Sequence, residues 1–184
     1  MSSREIRFLC NLEDPAYLIT LPKLTSLTAP MRLSKLTYFP GVFNCPLLTR
    51  ISLHKCEIKE LGQIYLAFPQ LEELALPHNK ITHIHSKSLP RTLKMLDLSW
   101  NPIRRPVIER LNNLESLWLD GCQLESVRRV RHLRALKLFS MVFLVSPDKS
   151  SFKLGSGIDW DEVEVEFGTL RHFPCMKCCH SSLC

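Results

Sequence analysis

An aliphatic spacing that returns every twenty-odd residues constrains this chain more than any other feature. From Leu48 the pattern runs Leu48, Ile51, Leu53, Ile58, at offsets 0, 3, 5 and 10. It returns from Leu71 (Leu74, Leu76, Ile81), Leu93 (Leu96, Leu98, Ile103), Leu114 (Leu117, Leu119, Leu124) and Leu133 (Leu136, Leu138, Phe143). All twenty positions are apolar in a chain that is 45% hydrophobic. Chance would give this with a probability on the order of 10⁻⁷, before freedom of register is allowed for. The origins lie 23, 22, 21 and 19 residues apart. Such a period means stacked units, each too small to bury its own apolar face and held in place by its neighbours.

An L-x-L core at period two puts both leucines on one face of a short strand and the residue between them on the other. Offset 8 holds Cys56, Asn79, Asn101, Cys122 and Met141. An Asn or Cys buried at that turn bonds backbone groups left over as the chain leaves the strand. Met141 cannot donate in this way, so the unit from Leu133 is expected to be the frayed end of the array. The segments LEELALPHNKI (71–81), LKMLDLSWNPI (93–103) and LESLWLDGCQL (114–124) match the pattern LxxLxLxxN/CxL. On these residues the chain resembles the leucine-rich repeat family, with repeats similar to the short or typical intracellular, phosphatase-regulator-like subclass. The resemblance is clear over 48–143, extends to a degenerate unit from Leu24 (Leu27, Ala29, Arg32), and reaches a further one at Ile6, Phe8 and Asn11.

What the resemblance implies is an α/β solenoid, right-handed and curved, with a parallel sheet on its concave side. The convex side would carry 3₁₀ turns or short helices, and KELGQIYLAFP (59–69) is the segment for a helical turn. The implied function is non-catalytic recognition of another protein by the concave face, with no cofactor.

Residues 1–145 are expected to form the repeat domain and 146–184 a linker with an irregular, Cys-rich tail. SPDKSSFKLGSG (146–157) has the composition of a loop. IDWDEVEVEF (158–167) alternates Val163, Val165 and Phe167 with acids, as a half-exposed strand does. That strand either pairs onto the last repeat as a cap or belongs to a disordered tail. Cys175, Cys178, His180 and Cys184 offer the donor types of a zinc site, and Cys175-x₂-Cys178 has a common spacing. The single residue between Cys178 and His180 is too tight for the usual zinc knuckle, so a solvated Cys-rich end is favoured and no metal is assigned.

The N-terminus carries Arg4, Glu5 and Arg7 and never opens into the apolar stretch of a secretory signal. Apolar runs such as MVFLV (141–145) fall far below the roughly 18 residues that span a bilayer. The eight Cys then read as thiols, and the expected compartment is the cytoplasm, with nuclear or ciliary placement also open. The rival is a truncated extracellular fragment of the same fold with its terminal Cys in disulfides. No Asn-x-Ser/Thr acceptor occurs, which speaks against that rival.

No glycine-rich phosphate loop, G-x-S-x-G elbow or H-E-x-x-H motif occurs, so catalysis is not expected. His83 and His85 flank Ile84 on the convex side and are expected to be solvated. Side chains turned away from the leucines carry more information. Offset 4 reads Ser52, Ala75, Asp97, Trp118, Lys137; offset 6 reads His54, Pro77, Ser99, Asp120, Phe139; offset 7 reads Lys55, His78, Trp100, Gly121, Ser140. Large aromatics on a face expected to meet water mark an interaction surface. A partner-binding patch is therefore expected around Trp100, Trp118 and Phe139, oriented by Asp97, Asp120 and Lys137, with His54 and His78 on the same face. The alternative is that the aromatics pack on one another or beneath the tail. A second cluster, Arg104, Arg105, Arg110, Arg128, Arg129, Arg131 and Arg134, together with a net charge of +6, raises RNA or an acidic protein as a rival partner. Aromatic residues for base stacking are missing from it, and a solvated basic face is the default expectation.

Overall fold

The structure is a computed structural model that describes residues 19–20, 23–30, 38–39, 43–125, 133–141 and 164–166. In chain order its elements are β1 (Ile19–Thr20), β2 (Ser26–Pro30), β3 (Tyr38–Phe39), β4 (Phe43–Asn44), β5 (Arg50–His54), β6 (Glu60–Leu61) and α1 (Ile64–Ala67), then β7 (Glu73–Ala75), β8 (Met95–Asp97), β9 (Ser116–Trp118), β10 (Leu138–Ser140) and β11 (Glu164–Glu166). Strands β2, β5, β7, β8, β9, β10 and β11 form one parallel sheet in that order. From β2 to β10 each strand is the same segment of successive coils, which is the architecture of a solenoid.

Register follows the aliphatic pattern. Leu27, Ile51, Leu74, Leu96 and Leu117 are successive partners across the sheet and form one continuous buried row. A second row, Leu53, Leu76, Leu98 and Leu119, is also buried, as are Ile58, Ile81, Ile103 and Leu124 where each coil turns back. Between neighbouring coils the N–H groups at offsets 1 and 2 share one carbonyl. Glu72 and Glu73 donate to Thr49 O, Lys94 and Met95 to Glu72 O, and Glu115 and Ser116 to Lys94 O. Opposite the sheet the chain is mostly irregular. Helix α1 falls inside 59–69, a 3₁₀ turn covers Ser86–Ser88, and two short parallel pairs join β1 to β4 and β3 to β6. Phe39 stacks on Phe68 there, with ring centroids 5.7 Å apart.

The last described coil corrects the repeat register. Phe139, not Leu136, partners Leu117, and Ser140 partners Trp118. In the four coils before this one the N–H at the origin donates to the carbonyl three residues earlier: Leu48 to Cys45, Leu71 to Phe68, Leu93 to Pro90, Leu114 to Leu111. The same bond here runs from Leu136 to Leu133 O, so the origin is Leu136 and the spacing from Leu114 is 22 residues. Phe139 and Met141 therefore occupy the two inward positions and are buried, rather than facing outward or holding the turn ladder. Lys137 moves to offset 1. Beyond this coil, β11 adds in parallel to β10, with Val165 opposite Phe139.

Asn79 and Asn101 hold the turns in the manner expected of that position. Asn79 Oδ1 accepts from the N–H groups of Cys56 and Ile58, and its Nδ2 donates to Leu53 O and Leu76 O. Asn101 Oδ1 accepts from Ile81 N, and its Nδ2 donates to Leu76 O and Leu98 O. Cys122 substitutes for Asn in the next coil. Its thiol donates to Leu98 O, and the backbone N–H groups of Asn101 and Ile103 face its sulfur. Burial pushes this thiol up to about 11, so it stays protonated and able to donate. Cys56, in the first ladder position, points its thiol at His54 O.

Candidate functional site

Where each strand ends, the coil must reverse within two residues, and the backbone does so through the left-handed region. Lys55, His78, Trp100 and Gly121, all at offset 7, have φ of 55°, 55°, 59° and 62°. Only Gly adopts this conformation without steric cost, so three coils tolerate a strained residue there. The left-handed turn throws these side chains outward in a column along the solenoid. His54 and His78 lie with ring centroids 4.8 Å apart, and His78 stacks on Trp100 at 5.4 Å with planes 4° from parallel. The Trp100 ring continues over Gly121, where an added Cβ would come within 2.6 Å of Cδ2. Gly121 is thus required twice, by its φ and by the indole lying on it. Trp100 remains 45% exposed, while His54 Nε2 is buried with no hydrogen-bond partner. His78 has its pKa lowered, first by desolvation and then by His54 and Lys55, with Asp97 opposing.

Trp118 occupies a different row. It sits mid-strand at offset 4, half-buried, with Asp97 as its registered partner on one side and buried Ser140 on the other. Past Asp97 the row continues with two small residues, Ala75 and Ser52. Asp97 Oδ1 accepts from Ser99 N at 2.9 Å, which closes a tight local turn and fixes the carboxylate. Asp120 Oδ1 accepts from Ser140 Oγ at 2.6 Å. The structure therefore keeps Trp100, Trp118, Asp97, Asp120, His54 and His78 on the side of the strands away from the leucine core. Phe139 is removed from that side into the core, and Lys137 is moved to its margin.

At that margin runs a charge ladder that single-coil reasoning missed. Offset 1 reads Glu72, Lys94, Glu115, Lys137, alternating in sign from coil to coil. Lys94 pairs with Glu72 at 3.0 Å and Lys137 with Glu115 at 2.7 Å; on the adjoining row Arg50 pairs with Glu73 at 2.8 Å. The hydrogen bond and charge of Lys137 hold the Glu115 carboxyl below its usual range. The alternation was present in the sequence under either origin of the last coil, since Leu133 would put Arg134 at offset 1; only the register shows that Lys137 is the cation that pairs with Glu115.

On the opposite side Arg104 and Arg105 both reach Glu125, at 3.8 and 2.7 Å. They line a polar groove of about 550 Å³ with Thr82, His83 and Gln123. Two guanidiniums of the basic cluster are thus partly neutralised; Arg110 and Arg134 are exposed, and Arg128, Arg129 and Arg131 lie outside the described residues. His83 and His85 are exposed, the latter accepting from Lys87 N as the cap of the 3₁₀ turn. Cys175, Cys178, His180 and Cys184 also lie outside the described residues. Among the described residues no cluster of His, Cys, Asp or Glu is arranged to hold a metal, and no helix is long and apolar enough to cross a membrane.

Residues 46–103 match the family model for the leucine rich repeat. No curated protein sequence matches the chain. Among solved structures, internalin C2 from Listeria monocytogenes str. 4b F2365 is similar at 16% identity and a TM-score of 0.51, covering 83% of this chain and 77% of its own. An internalin, inlF, from the same organism aligns at 16% identity and a TM-score of 0.38, over 92% of this chain and 65% of its own. Human 5T4 (Wnt-activated inhibitory factor 1, trophoblast glycoprotein) aligns at 15% identity and a TM-score of 0.44, over 84% and 74%.

Proposed function

Since this chain carries leucine-rich repeats and folds as their solenoid, we propose that it is a non-catalytic recognition module that binds another protein on the sheet face turned away from the leucines. The observation that carries this is the presence of two tryptophans on that face, Trp118 half-buried at mid-strand and Trp100 exposed at the turn. Backbone bonds between coils fix both, Trp118 by strand pairing and Trp100 by its N–H to Asp120 O. A partner then meets side chains that need little reordering, which lowers the entropic cost of association. Indole rings on a rigid surface are the commonest anchors of such contacts.

The test is capture of partners from cells by the wild-type chain and by a Trp100→Ala/Trp118→Ala double variant, with folding checked by far-UV circular dichroism. Loss of captured partners with the spectrum retained supports the assignment. Equal capture by the folded variant overturns it. A cytoplasmic location is part of the same proposal and is supported by the buried, protonated thiol of Cys122, which a reducing compartment preserves. Thiol titration of the denatured protein should find close to the eight Cys of the sequence free. A count near zero would place the chain in the secreted class.

A further inference from the structure

The sheet face is not uniform in charge. Along offsets 1 and 2 each of the cations Arg50, Lys94 and Lys137 is held by a glutamate. One step further across the strands the sign is negative: Asp97 sits beside Trp118, and Asp120 lies two residues after it. Asp97 has no cation paired with it among the described residues; its one bond is from the neutral Ser99 N–H. His78 brings no competing charge near neutral pH, since desolvation lowers its pKa. Toward β10 the row ends on Ser140, which is buried and bonded to Asp120, whereas toward β7 and β5 it continues with Ala75 and Ser52, small and only half-buried.

We propose that the step between Asp97 and Trp118 receives the guanidinium of an arginine from an extended segment of the partner, set over Asp97 against the indole, with its aliphatic stem leading away across Ala75. The inference rests on recognition by this sheet face and names its chemistry. A guanidinium is planar, so it can stack on the indole while donating to the carboxylate in its own plane; an ammonium satisfies the carboxylate as a hydrated point charge and stacks less well. An apolar side chain in the same place would cover Asp97 and leave its charge desolvated without a partner. A phosphate backbone would meet Asp97 and Asp120, both of the wrong sign, so nucleic acid does not fit this step of the face.

Peptide display on the full chain tests this, with Trp118→Ala and Asp97→Asn run in parallel. The Asn amide oxygen can still accept from Ser99 N, so Asp97→Asn removes the charge and keeps the turn. Peptides that depend on Trp118 should carry an arginine. Replacing that arginine with citrulline in a synthetic peptide should weaken binding about tenfold or more, the scale of one charge-assisted contact. On Asp97→Asn the same replacement should change affinity far less. Trp118-dependent peptides that lack arginine, or a citrulline effect unchanged by Asp97→Asn, would overturn the arginine site while leaving recognition by this face intact. Selection of no Trp118-dependent peptide would remove both.

Discussion

Replacing Asn79 with alanine should be far more costly than the same change at Asn101, although the two occupy equivalent positions. Asn79 is the partner of the Cys56 and Ile58 N–H groups and of Leu53 O. Pro77, which stands at offset 6 in the next coil, has no N–H to offer that carbonyl in its place. Leu76 O keeps a donor in Asn101. Alanine at 79 thus orphans three buried backbone groups. At about 1–3 kcal/mol each, with some relief from water entering the turn, the loss is about 3–5 kcal/mol. Asn101→Ala leaves Leu76 O bonded to Asn79, Leu98 O to the Cys122 thiol and Ser99 O to His78 N, so chiefly Ile81 N is stranded. That is about 1–2 kcal/mol. Asn79→Cys should recover much of the loss, because Cys122 shows a thiol performing the same task two coils on. Urea unfolding of the wild type and the three variants, with equal slopes required, measures the series. Equal costs for the two alanine variants would refute the bond-by-bond accounting, and so would a Cys variant no better than Ala.

Three further outcomes follow from particular side chains. Phe139→Ala should destabilise by about 3–5 kcal/mol, as loss of a large buried ring does, whereas an outward-facing Phe139 would cost well under 1 kcal/mol; urea unfolding decides between the two registers. Cys122, with its thiol raised to about 11, should resist iodoacetamide at pH 8 in the native protein and react once unfolded, which peptide mass spectrometry reads directly. His78 has a folded pKa below its unfolded value, so the unfolded chain binds more protons. The resulting stability is present above the unfolded value of 6.5 and is lost as pH falls through the folded pKa. His78→Gln should flatten the stability profile in that window, and an unaltered slope would remove His78 as its source.

Much of this protein was legible in its residues. The L-x-L core fixed which face of each strand is buried because side chains alternate strictly along a strand. Asn79, Asn101 and Cys122 announced the turns because few side chains can satisfy stranded backbone groups there. Placement of Trp118, Asp97 and Asp120 outside the core followed from the same alternation, whereas Trp100, at an odd offset like the leucines, is turned outward only by the left-handed backbone at the strand's end. The last coil was not legible. Leu133, Leu136 and Leu138 allow either of two origins three residues apart, and the origin at Leu133 also finds Phe143 at offset 10, whereas the origin at Leu136 finds Ser146. Composition alone favours the first.

Tertiary pairing decided otherwise. A coil has to present its N–H groups at the height of the carbonyls on the coil before it, and Lys137 and Leu138 reach Glu115 O only with the origin at Leu136. Relations between coils share this dependence: the Glu72–Lys94–Glu115–Lys137 ladder and the His78–Trp100–Gly121 column join residues some twenty positions apart, set by stacking height and the left-handed turn. Local alternation determined inside and outside; only the stacked coils determined which outward side chains are neighbours, because contact across a solenoid depends on register and not on sequence distance.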